Sequence, residues 1–206
     1  SAASDVYKRQ KQLKVGVCRD RQCLFPKPCP NLDTDHSDYI ALLQKVRALS
    51  GIKKVFVRSG IRYDYLLADK NDRFLDELCR YHVSGQLKVA PEHVAEHALA
   101  NMGKPGKSVY LKFMRAFNKK NQEIGLKQFL VPYFISSHPG CTLRDAVELS
   151  EFLRDIGHQP EQVQDFIPTP GSASTAMYYS GINPETGKKV FVARNPHDKA
   201  MQRALM

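Results

Sequence analysis

Three cysteines, Cys18, Cys23 and Cys29, fall in KVGVCRDRQCLFPKPCP as C-x4-C-x5-C, within a basic, proline-rich stretch. Thiolates this close together suit zinc or part of an iron–sulfur cluster, both of which take soft sulfur ligands. The spacing matches no common zinc finger, and a fourth ligand must come from His36 or a cysteine further upstream; free thiols in a loop are the alternative. A second constellation, His93, Glu96 and His97, is a formal H-x-x-E-H match. In inverted zinc proteases two histidines at i and i+4 hold the metal while the Glu acts as base. Here His93 follows a strand and no third ligand is evident, so His97 reads more simply as an exposed helix residue. Cys79 fits a helix core face, and Cys141 a helix start without special chemistry.

These groups must be held by elements, and the apolar pattern alternates. Asp35 or Ser37 is placed to cap a helix with the stripe Ile40, Leu43, Val46 and Leu49, stopped by Gly51. KKVFVRSG (53–60) reads as a strand. A helix carrying Phe74, Leu75, Leu78 and Cys79 follows, ending near Tyr81, and then a strand over QLKVAPEH (86–93). Helical stretches at His93 to Met102 and Ser108 to Ile124 are parted by GKPGK. QFLVPYFISSHPG (128–140) is apolar enough for a strand buried on both faces. A helix over Leu143 to Ile156 with Val147, Leu149, Phe152 and Leu153, and a strand over VQDFIPTPG (163–171), complete the order. HDKAMQRALM at the end is amphipathic, with Met201, Leu205 and Met206 on one side. Strands alternating with helices predict parallel βα units. Four strands cannot close a barrel, so a barrel would need strand partners upstream.

In such folds working residues lie past the carboxyl ends of the strands. Those exits hold Arg58, Ser59, Gly60 and Arg62; Lys88, Glu92 and His93; Ser136, Ser137, His138, Pro139 and Gly140; and Pro168, Thr169, Pro170 and Gly171. Polar groups beside Gly and Pro suit a polar small molecule at the mouth of a sheet. The HPG run would let backbone amides approach an anion at the start of the next helix.

The chain has 206 residues, 42% hydrophobic and 25% charged, which argues for one folded domain or little more and against wholesale disorder. No apolar run approaches the roughly 18 residues of a membrane helix, and no secretory leader is visible. Five cysteines in a chain of this length fit a reducing cytoplasm better than a disulfide scaffold. Lys and Arg number 31 against 21 Asp and Glu, a formal charge of +10 that favours anionic partners. Residues 1–10, SAASDVYKRQ, resemble the translation of a sequencing adapter and are expected to be a non-native leader.

SGIRYDYLLAD, YHVSGQLKVAPEH, MGKPG, LVPYFISSHPGCT and QVQDFIPTPGSASTAMYYSG, in that order and preceded by LFPKPCPNLDTDHSDY, resemble the YgiQ-type family of radical-SAM proteins. The resemblance covers essentially all of residues 11–206. It implies an α/β fold, a partial (βα) TIM-like barrel of parallel strands with outer helices, incomplete here because upstream strands are missing. It divides the chain into a leader at 1–10, a cysteine-containing loop at 11–36, the second part of the barrel at 37–182, and the start of a truncated extension at 183–206. It further implies S-adenosylmethionine and a [4Fe–4S] cluster as cofactors, with reductive cleavage of the sulfonium to a 5′-deoxyadenosyl radical. By position on the matching motifs, Arg58 and Ser59 face the ribose or methionine part, Lys88 a carboxylate, Glu92 a hydrogen-bond donor, and Ser137 and His138 the adenine edge.

The family's C-x3-C-x2-C cluster loop is absent, and Cys18, Cys23 and Cys29 lie downstream of where it stands in the family. The resemblance therefore leaves the cluster ligands upstream, makes the three cysteines an auxiliary metal site or structural thiols, and predicts a polypeptide inactive by itself. An electron donor is implied as partner, with an unknown substrate that could be RNA or protein, and no membrane. Two other classes fit parts of the pattern: a zinc-organised basic nucleic-acid-binding module, and a small doubly wound domain using SSHPG as its anion loop.

Overall fold

The computed structural model describes residue 18 and residues 22–160 and 163–206. The leader at 1–10 and the first part of the cysteine loop therefore lie outside the described residues. The architecture is α/β. Strands β1 (Gln86–Glu92), β2 (Phe129–Ser136) and β3 (Gln164–Asp165) form a parallel sheet in that order, flanked by helices and not closed into a barrel. Ile135 pairs with Gln164 and Ser136 with Asp165. Helices α4 (Glu96–Met102) and α5 (Lys107–Ile124) connect β1 to β2, and α6 (Leu143–Asp155) connects β2 to β3. Parallel neighbours need such crossovers, because a tight turn reverses the chain.

The described chain divides into two compact units, one running to Ala90 and including Ser108–Val131, the other made of Pro91–Lys107 and Pro132–Met206. In the first, α1 (Ser37–Arg47) buries Ile40 and Leu43. Its N-cap is His36, without a side-chain cap; Asp35 instead accepts from the backbone and hydroxyl of Ser37. α2 (Tyr63–Ala68) and α3 (Arg73–Glu77) follow, and α3 continues as a π-helical turn over Leu78–His82. On α5, Tyr110, Phe113, Phe117 and Asn121 recur at helical spacing and are buried. Tyr63 meets the rings of Tyr110 and Phe113 at 5.5 and 5.7 Å.

In the second unit, α6 opens on a capping box: Asp145 accepts from the Thr142 amide at 2.7 Å, and Thr142 from the Asp145 amide. Ala146, Leu149, Phe152 and Leu153 are its buried stripe, whereas Val147 is exposed. α7 (Ala173–Ser180) is capped by Ser172 and stopped by left-handed Gly181, and α8 (Pro196–Ala204) is capped by Asn195.

Two expectations are corrected. Residues 53–60 form no ladder strand. The Val57 amide donates to the His82 carbonyl, the Val55 carbonyl accepts from His82 Nδ1 at 2.7 Å, and parallel pairing is limited to one bridge, Ile61 with Val89. The Val57 amide and the Val55 carbonyl thus find their partners on His82 of the π-helical turn instead of on a neighbouring strand. β2 is not buried on both faces: Pro132, Phe134 and Ser136 are covered, while Phe129 and Tyr133 are exposed.

Candidate functional site: the carboxyl ends of the strands

β1 alternates, with Leu87, Val89 and Pro91 buried and Lys88 and Glu92 on the more open side. At its last residue the backbone turns left-handed, Glu92 having φ +65°. The residue after β2, Ser137, does the same with φ +58°. No other non-glycine residue among those described has positive φ. The region is costly for a side chain with a Cβ, by on the order of 1–3 kcal/mol, and persists only where surroundings impose it.

Those surroundings are specific. The Glu92 carboxylate meets Lys104 Nζ at 2.8 Å, both side chains about a quarter exposed (24% and 27%). The Ser137 amide donates to Gln202 Oε1 at 3.1 Å, and Gln202 Nε2 donates to the Cys141 carbonyl at 3.2 Å. The Ser136 hydroxyl donates to Asp165, whose other oxygen accepts from Arg203 at 2.7 Å. Buried Gln202 on α8 and the Asp165–Arg203 pair, which is partly open to solvent, thus pin the exit of β2. His138 Nδ1 donates to the Pro139 carbonyl at 2.8 Å, which leaves Nε2 to accept from the Ser174 hydroxyl at 2.8 Å. Burial lowers the His138 pKa, in keeping with that neutral ring, and the Glu92 charge opposes the shift.

His93 is also buried. Its Nδ1 accepts from the Ala95 amide at 3.1 Å, and desolvation brings its pKa down to about 4, against the pull of Asp145. The H-x-x-E-H reading fails on geometry. α4 begins only at Glu96, so His93 and His97 do not share a helical face; Glu96 accepts from the Lys107 amide, and exposed His97 stands 3.6 Å from Asp145. The anion-loop reading of HPG fails too. The Gly140 amide donates to the Phe191 carbonyl, that of Cys141 to His138 and that of Thr142 to Asp145, so none of the three is left for a ligand. Gly140 is required for another reason: at φ +90°, a Cβ would lie 2.5 Å from Asn101 Nδ2.

Of the residues singled out by sequence, Glu92, Ser137 and His138 lie together in the second unit, with Ser137 and His138 buried. Arg58, Ser59 and Lys88 are exposed and belong to the first. There the Lys88 carbonyl accepts from the Ile61 amide and lies 2.9 Å from where a Cβ on Gly60 would stand, so Ser59 and Gly60 run against β1. Cys18 is exposed, and Cys23 and Cys29 are half-buried, the Cys29 amide donating to the Cys23 carbonyl at 2.8 Å. Among the described residues no group of three His, Cys, Asp or Glu side chains could hold a metal ion. Lys104, Asp165, Gln202 and Arg203 were not anticipated. Lys104 sits in the GKPGK breaker, whose composition hinted at a built loop; nothing local marks the other three, whose partners are 29 to 65 residues away.

Fold and site together define an open parallel α/β sheet with a strained polar rim at its carboxyl ends. The chain is 55% identical over 197 residues to a UPF0313 protein of Clostridium perfringens, covering 96% of this chain and 30% of that relative. It is likewise 55% identical over 195 residues to a UPF0313 protein of Clostridium botulinum, covering 95% of this chain and 30% of the relative. A family model described as a domain of unknown function, DUF3362, matches residues 161–206. The chain spans about 30% of the length of these curated relatives. No helix among the described residues is long and apolar enough to cross a membrane.

Proposed function

We propose that this chain forms part of the wall of a radical-SAM (βα) barrel and contributes to binding S-adenosylmethionine at the carboxyl ends of its strands. The observation that carries the reading is the pair of left-handed non-glycine residues, Glu92 and Ser137, at the exits of adjacent strands. Strain placed there, held by buried Gln202 at Ser137 and by the partly open Lys104 pair at Glu92, is what preorganisation of a ligand wall requires. The motif resemblance supplies the identity of the ligand.

Within this reading Glu92 is the contacting group. Its carboxylate is partly open and accepts a hydrogen bond from an ammonium or hydroxyl of the ligand, while Lys104 fixes its orientation. Ser137 and His138 act by shape, since their polar atoms are engaged within the protein. Arg58, Ser59 and Lys88 enter from the resemblance, Lys88 as partner for a carboxylate.

The described residues do not fit a [4Fe–4S] cluster. Cys79 and Cys141 are buried, burial pushing the Cys79 thiol up to about 12 and Cys141 likewise upward, the reverse of what a thiolate ligand needs. The reductive step is assigned to none of them. Calorimetric titration of the chain with S-adenosylmethionine tests the reading. Glu92→Gln is expected to weaken binding at least tenfold with an unchanged thermal melt. Equal affinity for the two proteins would overturn it.

A further inference from the structure

A cavity of about 430 Å³ opens at the amino ends of β1 and β2, beside Gly85 and Gln128. Its wall carries five cationic side chains, Arg47, Lys53, Lys54, Arg80 and Lys127, and no acidic one. Two are partly neutralised from behind: Arg47 lies 3.3 Å from buried Glu77, and Arg80 lies 2.7 Å from Asp76. Lys53, Lys54 and Lys127 are exposed and have no ion-pair partner among the described residues, so the cavity keeps a charge near +3.

The same wall holds two half-exposed rings, Phe56 at 39% and Tyr81 at 45%. The Arg47 guanidinium covers the Tyr81 ring at 3.6 Å, and Lys54 Nζ lies 5.9 Å from the Phe56 centroid. The platform is braced from below. Glu77 accepts from Gln44 at 3.1 Å and faces His82 Nε2 at 3.2 Å, while His82 Nδ1 donates to the Val55 carbonyl. One buried carboxylate thus ties α1, which carries Arg47, to the π-helical turn, which carries Tyr81, and through His82 to the extended run that carries Phe56.

A merely solvated basic face needs no open rings, and a membrane surface would meet a protruding apolar edge, not a recess. Cations that follow a phosphate backbone, alternating with rings on which bases stack, are the features of single-stranded nucleic-acid sites. We infer that this cavity binds a segment of single-stranded nucleic acid, with Lys53, Lys54 and Lys127 contacting phosphates, and bases stacking on Phe56 and on the Arg47–Tyr81 stack.

The test is fluorescence anisotropy of the full 206-residue chain with a 5′-labelled 12-residue oligouridylate, with oligothymidylate and duplex RNA in parallel. Three phosphate contacts predict a log–log salt slope of about −2, a roughly 20-fold loss of affinity between 50 and 200 mM salt. Lys53→Glu, Lys54→Glu and Lys127→Glu together should weaken binding at least tenfold and flatten the slope. Phe56→Ala should weaken it about tenfold with the slope unchanged, since stacking releases no counterions. Similar affinity for both single strands supports the inference, the probe being recognised by backbone and base face.

It is overturned by any of four results: tighter binding of the duplex, no salt-dependent binding, competition by uridine monophosphate as effective per molecule as the 12-mer, or an equal loss in the charge-matched control Lys70→Glu, Lys188→Glu, Lys189→Glu. Titrating the triple pocket variant with S-adenosylmethionine keeps this inference separable from the proposed function, because its affinity there should equal that of the parent chain.

Discussion

Glu92 and Ser137 hold a backbone conformation that glycine would adopt without strain, so side chains at these points cost stability. If that cost serves a ligand, removing it should separate stability from binding. Glu92→Gly is expected to raise the free energy of unfolding by about 0.5–1 kcal/mol, the surface pair with Lys104 being worth little, while S-adenosylmethionine binding falls at least tenfold. Urea denaturation and calorimetry on the same preparation check both. His93 supplies a pH-dependent counterpart. Its pKa is near 4 when folded and about 6.5 when unfolded. Between those values the unfolded chain binds the extra proton, so stability rises with pH there and is lost as pH falls from 6.5 toward 4, by up to about 3 kcal/mol. His93→Asn keeps an acceptor for the Ala95 amide but cannot titrate. Its urea midpoint should fall less steeply than the parent's over that interval; parallel profiles would count against a buried neutral imidazole.

The elements show which physical signals a sequence carries. α6 was legible from its stripe, since Leu149, Phe152 and Leu153 recur at helical spacing and are buried, although Val147 of the same pattern is exposed and Ala146 takes its place. Residues 53–60 have strand composition but not strand pairing, since pairing depends on what lies alongside; here the His82 turn takes their hydrogen bonds. The rule that ligands sit past strand ends pointed to Glu92 and Ser137 from order alone, whereas the clamp by Gln202, Asp165 and Arg203 is tertiary and left no local trace. HPG misled because a Pro-Gly turn looks the same whether its amides are open or spent. Gly140 decides that loop's shape against α4. Gly140→Ala should destabilise the protein by about 2–4 kcal/mol, combining left-handed strain with overlap on Asn101. Adding Asn101→Ala should recover the overlap part only, a coupling that a thermal or urea double-mutant cycle would read.

For the whole molecule, binding and turnover are expected to come apart. The cradle offers a partly open carboxylate, yet among the described residues no metal-holding group exists, and the two thiols inside the fold are kept protonated by burial. A wall can recognise a nucleoside without supplying electrons to it, and the chain spans about 30% of the relatives it resembles. After anaerobic treatment with iron and sulfide, and in the presence of dithionite, the 206-residue chain should therefore bind S-adenosylmethionine but form no 5′-deoxyadenosine above a protein-free control, as followed by chromatography. Product formation would place cluster ligands in this chain, and the accessible thiols Cys18, Cys23 and Cys29 would be the ones to examine. In that event Cys23→Ser should abolish both the product and the iron–sulfur absorbance, while Cys79→Ser, at a site with no exposure, should alter stability and leave the absorbance in place.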